Sequence, residues 1–110
     1  MSLDGRLDVT VTETAVEFAF SVTNAGTEPV DIEFRSGQVA DVVVGGDGDE
    51  VWRWSDDEMF TQAIRTETLA PGESLRHEAR WEGPPAGEYV AEASLEAVNA
   101  SLTKRERFEV

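Results

Sequence analysis

The sequence predicts an all-β domain, a sandwich or barrel built from short antiparallel strands. Apolar and polar residues alternate with period two through most of the chain. Clusters of turn-forming residues recur about every eight to twelve positions, and no long window has the i, i+3, i+4, i+7 apolar spacing of an amphipathic helix.

Each expected strand has its own pattern. Leu7, Val9 and Val11 share one face, with Arg6, Asp8, Thr10 and Thr12 on the other. Val16, Phe18, Phe20 and Val22 alternate with Glu17, Ala19, Ser21 and Thr23, and the run stops at the turn-like Asn24-Ala25-Gly26-Thr27. Val30, Ile32 and Phe34 alternate with Asp31, Glu33 and Arg35 and stop at Ser36-Gly37-Gln38. Such alternation marks a strand with one buried and one solvated face. Val39 to Val44 is more continuously apolar, and Gly45 to Glu50 (GGDGDE) separates it from Val51 to Trp54. Glycine and aspartate tolerate the positive φ of tight turns, so this segment reads as a hairpin. A short strand, Ile64 to Leu69, runs into the turn Ala70-Pro71-Gly72-Glu73. Leu75 to Trp81 follows and is stopped by Gly83-Pro84-Pro85-Ala86-Gly87. Tyr89, Ala91, Ala93, Leu95 and Ala97 mark one face of a long strand opposite Glu92, Ser94 and Glu96. A last charged strand, Leu102 to Val110, turns Phe108 and Val110 inward.

Composition narrows the function. At 110 residues the expectation is one domain spanning 1–110. Without cysteine the chain has neither disulfides nor thiolate chemistry nor a Cys-ligated zinc site. The segment MSLDGRLDVTV lacks a basic region followed by an apolar run, and no stretch approaches the roughly 18 apolar residues of a membrane span. A cytoplasmic protein is expected. Acidic residues number 23 against 9 basic ones, for a formal net charge of -14, and Lys104 is the sole lysine. Nucleic acid and anionic membrane are therefore disfavoured partners, since binding to either relies on cationic side chains. Self-repulsion of such a surface is largely screened near 1 M salt, where the Debye length falls to about 3 Å. The excess of acid and shortage of lysine resemble proteins of salt-loving archaea.

The unusual residues cluster in VWRWSDDEMFTQA, Val51 to Ala63. Trp52 and Trp54, two apart, are expected on the same side of a strand, where they plug the core or close its mouth; an exposed platform for sugar rings is the competing reading. Ser55, Asp56, Asp57 and Glu58 then turn the chain into solvent. Phe60 is expected to pack and Met59 to form an exposed apolar tip. His77, the sole histidine, shares parity with Leu75, Ala79 and Trp81 and reads as a structural or rim residue. Asp47, Asp49 and Glu50 have calcium-like chemistry but not the twelve-residue loop ending in a bidentate glutamate, so they read as a hairpin turn. Asn99-Ala100-Ser101 is a glycosylation sequon only in an exported chain. With no nucleophile elbow, zinc-protease helix motif or phosphate-cradling loop, the chain is not expected to be an enzyme or to hold a metal or cofactor.

Several of these pieces occur together. VTNAGTEPVDIEFRSGQVADVVVGGDGDEVWRWSDDEMFTQA, followed by the LAPGES turn, a tryptophan and GEY, resembles the BsuPI family of intracellular proteinase inhibitors. The likeness spans about Leu7 to Leu95 and is carried by Asn24, by Phe34 with Ser36-Gly37-Gln38, by Asp41, by Val51 to Ser55, by Phe60 with Gln62, by Pro71-Gly72-Glu73, and by Gly87 with Tyr89. It implies an immunoglobulin-like antiparallel β-sandwich of eight to nine strands that binds a protein, the name-giving member restraining an intracellular subtilisin-like serine protease. The chain departs from the family pattern at its surface, where acid replaces lysine. An inhibitor offers the protease cleft an extended, pre-organised segment with one apolar side chain for the specificity pocket. The candidate contact residues are Asp56, Asp57, Glu58, Met59, Phe60, Thr61 and Gln62, supported by the strand of Trp52 and Trp54. Pro84, Pro85 and Ala86 form a second candidate loop. The alternatives are an immunoglobulin-like structural or adhesion module without inhibitory action, or a carbohydrate-binding module.

Overall fold

The structure is a computed structural model that describes residues 2–110. Its strands are β1 (Leu3–Val11), β2 (Ala15–Asn24), β3 (Val30–Phe34), β4 (Ala40–Gly46), β5 (Asp49–Arg53), β6 (Arg65–Leu69), β7 (Ser74–Glu82), β8 (Glu88–Leu95) and β9 (Thr103–Glu109). One short 3-10 turn, Trp54–Asp57, follows β5. All pairings are antiparallel. A three-stranded sheet ordered β1-β2-β7 faces a four-stranded sheet ordered β5-β4-β8-β9, and a β3-β6 ribbon completes the fold. This is the all-β fold that the alternation predicts and the immunoglobulin-like sandwich that the family resemblance implies.

The core forms because period-two strands point one side chain in two at the facing sheet. From one sheet come Leu7, Val16, Phe18, Phe20, Val22, Ala79 and Trp81; from the other, Ala40, Val42, Val44, Ala91, Ala93 and Leu95; the ribbon adds Ile32, Phe34 and Leu69. Each fully buried phenylalanine or valine among them contributes about 1.5–3 kcal/mol.

The ribbon is tied on by polar atoms. Asn24 ends β2 fully buried; its amide group donates to the carbonyls of Glu28 (2.8 Å) and Leu69 (2.9 Å), and its oxygen accepts from the Gly26 N–H at 3.0 Å. The asparagine of the turn thus joins β2 to the end of β6. At the other edge Asn99 brackets β3, donating to the Asp31 carbonyl and accepting from the Glu33 N–H, both at 2.9 Å. Its side chain is engaged with the backbone of its own domain, which is the physical work of the Asn-Ala-Ser sequence here.

Some boundaries differ from the expectation. β1 begins at Leu3, four residues before its alternation becomes apolar, because pairing with β2 continues to Leu3↔Asn24. The hairpin turn is Asp47-Gly48, with φ of 53° and 86°, the paired positive values that a two-residue turn between twisted strands requires. β5 carries one extra residue against β4, since Val44 pairs with Trp52 and Gly45 with Glu50; Val51 is the bulged residue and stays exposed. Asn24→Ala leaves two carbonyls and one N–H without their partner, and should lower unfolding stability by about 1–3 kcal/mol in denaturant titration; an unchanged midpoint would contradict the tie described for Asn24.

Candidate functional site

Trp52 and Trp54 do not share one strand face, contrary to expectation, because β5 ends at Arg53 and Trp54 opens the 3-10 turn. The cause is Asp41. It stands on β4 among buried residues and is itself only 3% exposed. One carboxylate oxygen accepts from the N–H of Val42 (2.9 Å) and of Ser55 (3.2 Å); the other accepts from the Ser55 hydroxyl (2.6 Å) and the Arg53 guanidinium (3.1 Å). Arg53 also donates to Glu50. A buried carboxylate is stable only when so satisfied. Its acceptors draw Ser55 back toward β4 and turn the chain out of the strand.

The two indoles consequently do different work. Trp52 lies between Phe18 of β2 (centroids 5.7 Å, planes 18° apart) and Trp81 of β7 (6.0 Å, 20°). Phe18 meets Phe108, Trp81 meets Tyr89, and Tyr89 stacks on Phe108. Five rings therefore link the two sheets through β2, β5, β7, β8 and β9. Trp54 sits apart, edge-on to His77 at 4.2 Å and tilted against Phe60 at 5.7 Å. Both indoles are half-buried against other rings.

The loop beyond the 3-10 turn is held at both ends. The Glu58 N–H donates to the Ser55 carbonyl at 3.2 Å, and Phe60 rests on Trp54. At the far end the Gly37 N–H donates to the Thr61 carbonyl at 2.9 Å. Any side chain at position 37 would come within 2.9 Å of the Thr61 hydroxyl oxygen, so the close approach requires glycine. The Ser36 hydroxyl shapes that turn by accepting from the Gln38 N–H. Between these anchors Met59 is 98% exposed, and Asp56, Asp57, Glu58, Thr61 and Gln62 are also at the surface. The structure thus brings together Asp56 to Gln62 and Trp54, while Trp52 lies inside the aromatic stack. Pro84, Pro85 and Ala86 are elsewhere, beyond the end of β7, where the Gly83 N–H meets the Thr14 carbonyl and the Tyr89 hydroxyl donates to the Pro85 carbonyl at 2.7 Å.

In the sequence Asp41 stands out only as one of the residues that carry the family resemblance, although a lone aspartate inside Ala-Asp-Val-Val-Val is the signal of a carboxylate that folding must satisfy. His77, expected as a structural or rim residue, contacts Trp54 and so joins β7 to the loop.

The profile of the BsuPI family, described as intracellular proteinase inhibitor, matches residues 3–100. The chain belongs to that family. The match includes every segment that builds the loop and its anchors, and the family is one of inhibitors that act on a proteinase. No curated protein matches the chain. Among solved structures, a β-glucosidase from Kluyveromyces marxianus in complex with glucose is similar over 99% of this chain at 18% identity and a TM-score of 0.55. The chain spans 14% of that enzyme's length, and at this identity the likeness shows the fold alone. A protein from Archaeoglobus fulgidus aligns over 100% of this chain and 96% of its own, at 11% identity and a TM-score of 0.45. Among the described residues no helix is long and apolar enough to cross a membrane.

Burial pushes the His77 imidazole below its ordinary value, against the smaller opposing pull of Asp41 and Glu58. The folded state therefore favours the neutral ring. Between the lowered native value and the ordinary value of about 6.5, the unfolded chain binds more protons, so stability falls on acidification through that window. The thermal midpoint should decline from about pH 7.5 to 5.5, and His77→Phe should remove much of that slope; an identical slope in the variant would contradict it.

Proposed function

We propose that this domain, a single folding unit over 1–110, binds and restrains a subtilisin-like serine protease in the cytoplasm, presenting the Asp56 to Gln62 loop to the cleft. The observation that carries this reading is the contrast within the loop. Met59 is almost wholly in solvent, while the backbone on either side is fixed by Asp41 through Ser55 and by Gly37 through Thr61. An extended segment already held in its binding shape loses less conformational freedom on association, and so binds more tightly. Met59 supplies an unbranched, polarizable side chain suited to an apolar specificity pocket. Family membership supports a proteinase as the partner.

The surface charge sets the medium in which this works. A formal charge of -14 on 110 residues favours a salt-rich compartment such as that of a halophilic archaeon, where its self-repulsion is screened. Most arginines are engaged in exposed pairs, Arg6 with Asp8, Arg76 with Glu78 and Arg105 with Glu92 among them. Such pairs contribute little to stability and leave the acidic excess in place.

The test is inhibition of a purified intracellular subtilisin-type protease at matched salt. Met59→Asp places a charge where the pocket requires apolar surface and should weaken inhibition at least about tenfold, with the midpoint of thermal unfolding unchanged. Full inhibition by the folded variant would remove the loop as the contact. Loss of inhibition in Pro85→Asp instead would transfer the role to Pro84, Pro85 and Ala86.

A further inference from the structure

β7 is an edge strand, and among the described residues no strand pairs with its outer side. The Asn24 N–H donates to the Glu73 carbonyl and the Gly72 N–H donates to the Asn24 carbonyl, whereas the Ala25 N–H bonds Ser2 beside β1. Even-numbered residues of β2 therefore direct their backbone groups at β7, and in the observed register they meet Leu75, His77, Ala79 and Trp81. The peptide groups of Arg76, Glu78, Arg80 and Glu82 point the other way. Among the described residues no turn or loop backbone group bonds them.

A groove of about 860 Å³ reaches this edge. It extends over the outer face of the sheet, past Asp8 and Thr10 of β1 and Glu17 and Ala19 of β2 to Arg76 and Glu78 of β7, and it also touches Ala79 and Trp81 on the inner face of β7. Trp52 and Trp54 of the facing sheet's margin line it as well. Its charge beside the edge is unbalanced: the carboxylates of Asp57, Glu58, Glu78 and Glu82 stand against Arg76 and Arg80. Both arginines are already paired, Arg76 with Glu78 and Arg80 with Glu17 and Glu82.

We propose that the open edge of β7 is a docking site for an extended segment of a partner protein whose side chains alternate between apolar and basic. Such a segment adds a strand to the sheet, exchanging main-chain hydrogen bonds with Arg76, Glu78, Arg80 and Glu82. Its apolar side chains lie against the indoles, and its basic ones face the carboxylates. Asp57 and Glu58 belong both to this groove and to the loop proposed to meet the protease, whereas Met59 and the Pro84 to Ala86 loop do not line it.

The probe is a capped peptide of about ten residues alternating valine and lysine, the length of a typical strand. Added to the isotopically labelled protein, it should slow amide exchange at Arg76, Glu78, Arg80 and Glu82. In a strand only alternate amides face a given neighbour, so N-methylation of one residue type, the valines or the lysines, should weaken binding at least about tenfold. Methylation of the other type should leave it intact. The proposal is overturned by no binding of the parent peptide, by equal effects of the two methylations, or by protection of those four amides without peptide in a dimer of this chain.

Discussion

The hydrogen-bonded carboxylate of Asp41 is the constraint on which the functional end of this sandwich depends. It sits near the start of β4, almost without solvent, and its four bonds come from the Val42 N–H beside it, from Arg53 at the end of β5, and from the N–H and hydroxyl of Ser55 just beyond. An unpaired carboxylate at that depth would be expensive to bury, so folding selects the conformation in which Ser55 and Arg53 come back to it. That requirement ends β5, creates the 3-10 turn, and sets the starting direction of the loop.

The rings complete what the carboxylate begins. Trp52 is on the sheet side of the junction and enters a stack that spans both layers, where its buried area and ring contacts stabilise the sandwich itself. Trp54 is on the loop side and spends its contacts on His77 and Phe60. One tryptophan thus belongs to the fold and the other to the loop, divided by a single residue, Arg53, that holds Asp41 and Glu50 together. On the far side, the Ser36-Gly37-Gln38 turn closes the clamp at Thr61. The most distinctive sequence pieces of the chain, FRSGQ and VWRWSDDEMFTQ, are distant in the sequence and adjacent in space because they are the two ends of this clamp.

Most of the fold was legible because each strand carries its own alternation. Val16 to Val22 and Tyr89 to Leu95 declare their faces without reference to anything else, and Asp47-Gly48 declares its turn through the φ values those residues tolerate. Trp54 was misassigned because period two was extrapolated one residue past Arg53; the force that stops the strand comes from Asp41, twelve residues earlier, and no local pattern contains it. The same holds for the end of the loop, where Gly37 reveals its role only when Thr61 is found against it. The start of β1 was missed for a different reason: Leu3 to Arg6 pair with β2 at a margin of the sandwich, where little apolar surface is available to mark an inner face.

The two surfaces that result differ in kind. The Asp56 to Gln62 loop offers a projecting methionine on a braced backbone, while the edge of β7 offers unpaired peptide groups beside indoles and acid. The loop rests on the junction held by Asp41, whereas the edge of β7 follows from its register with β2; amide hydrogen exchange across Asp41→Ala tests that junction most directly. The account predicts that exchange at the bonded amides of Ser55 and Glu58 accelerates at least about tenfold relative to the amides of β2 and β8, which remain protected. Acceleration spread evenly over the chain, or none at Ser55 and Glu58, would contradict it.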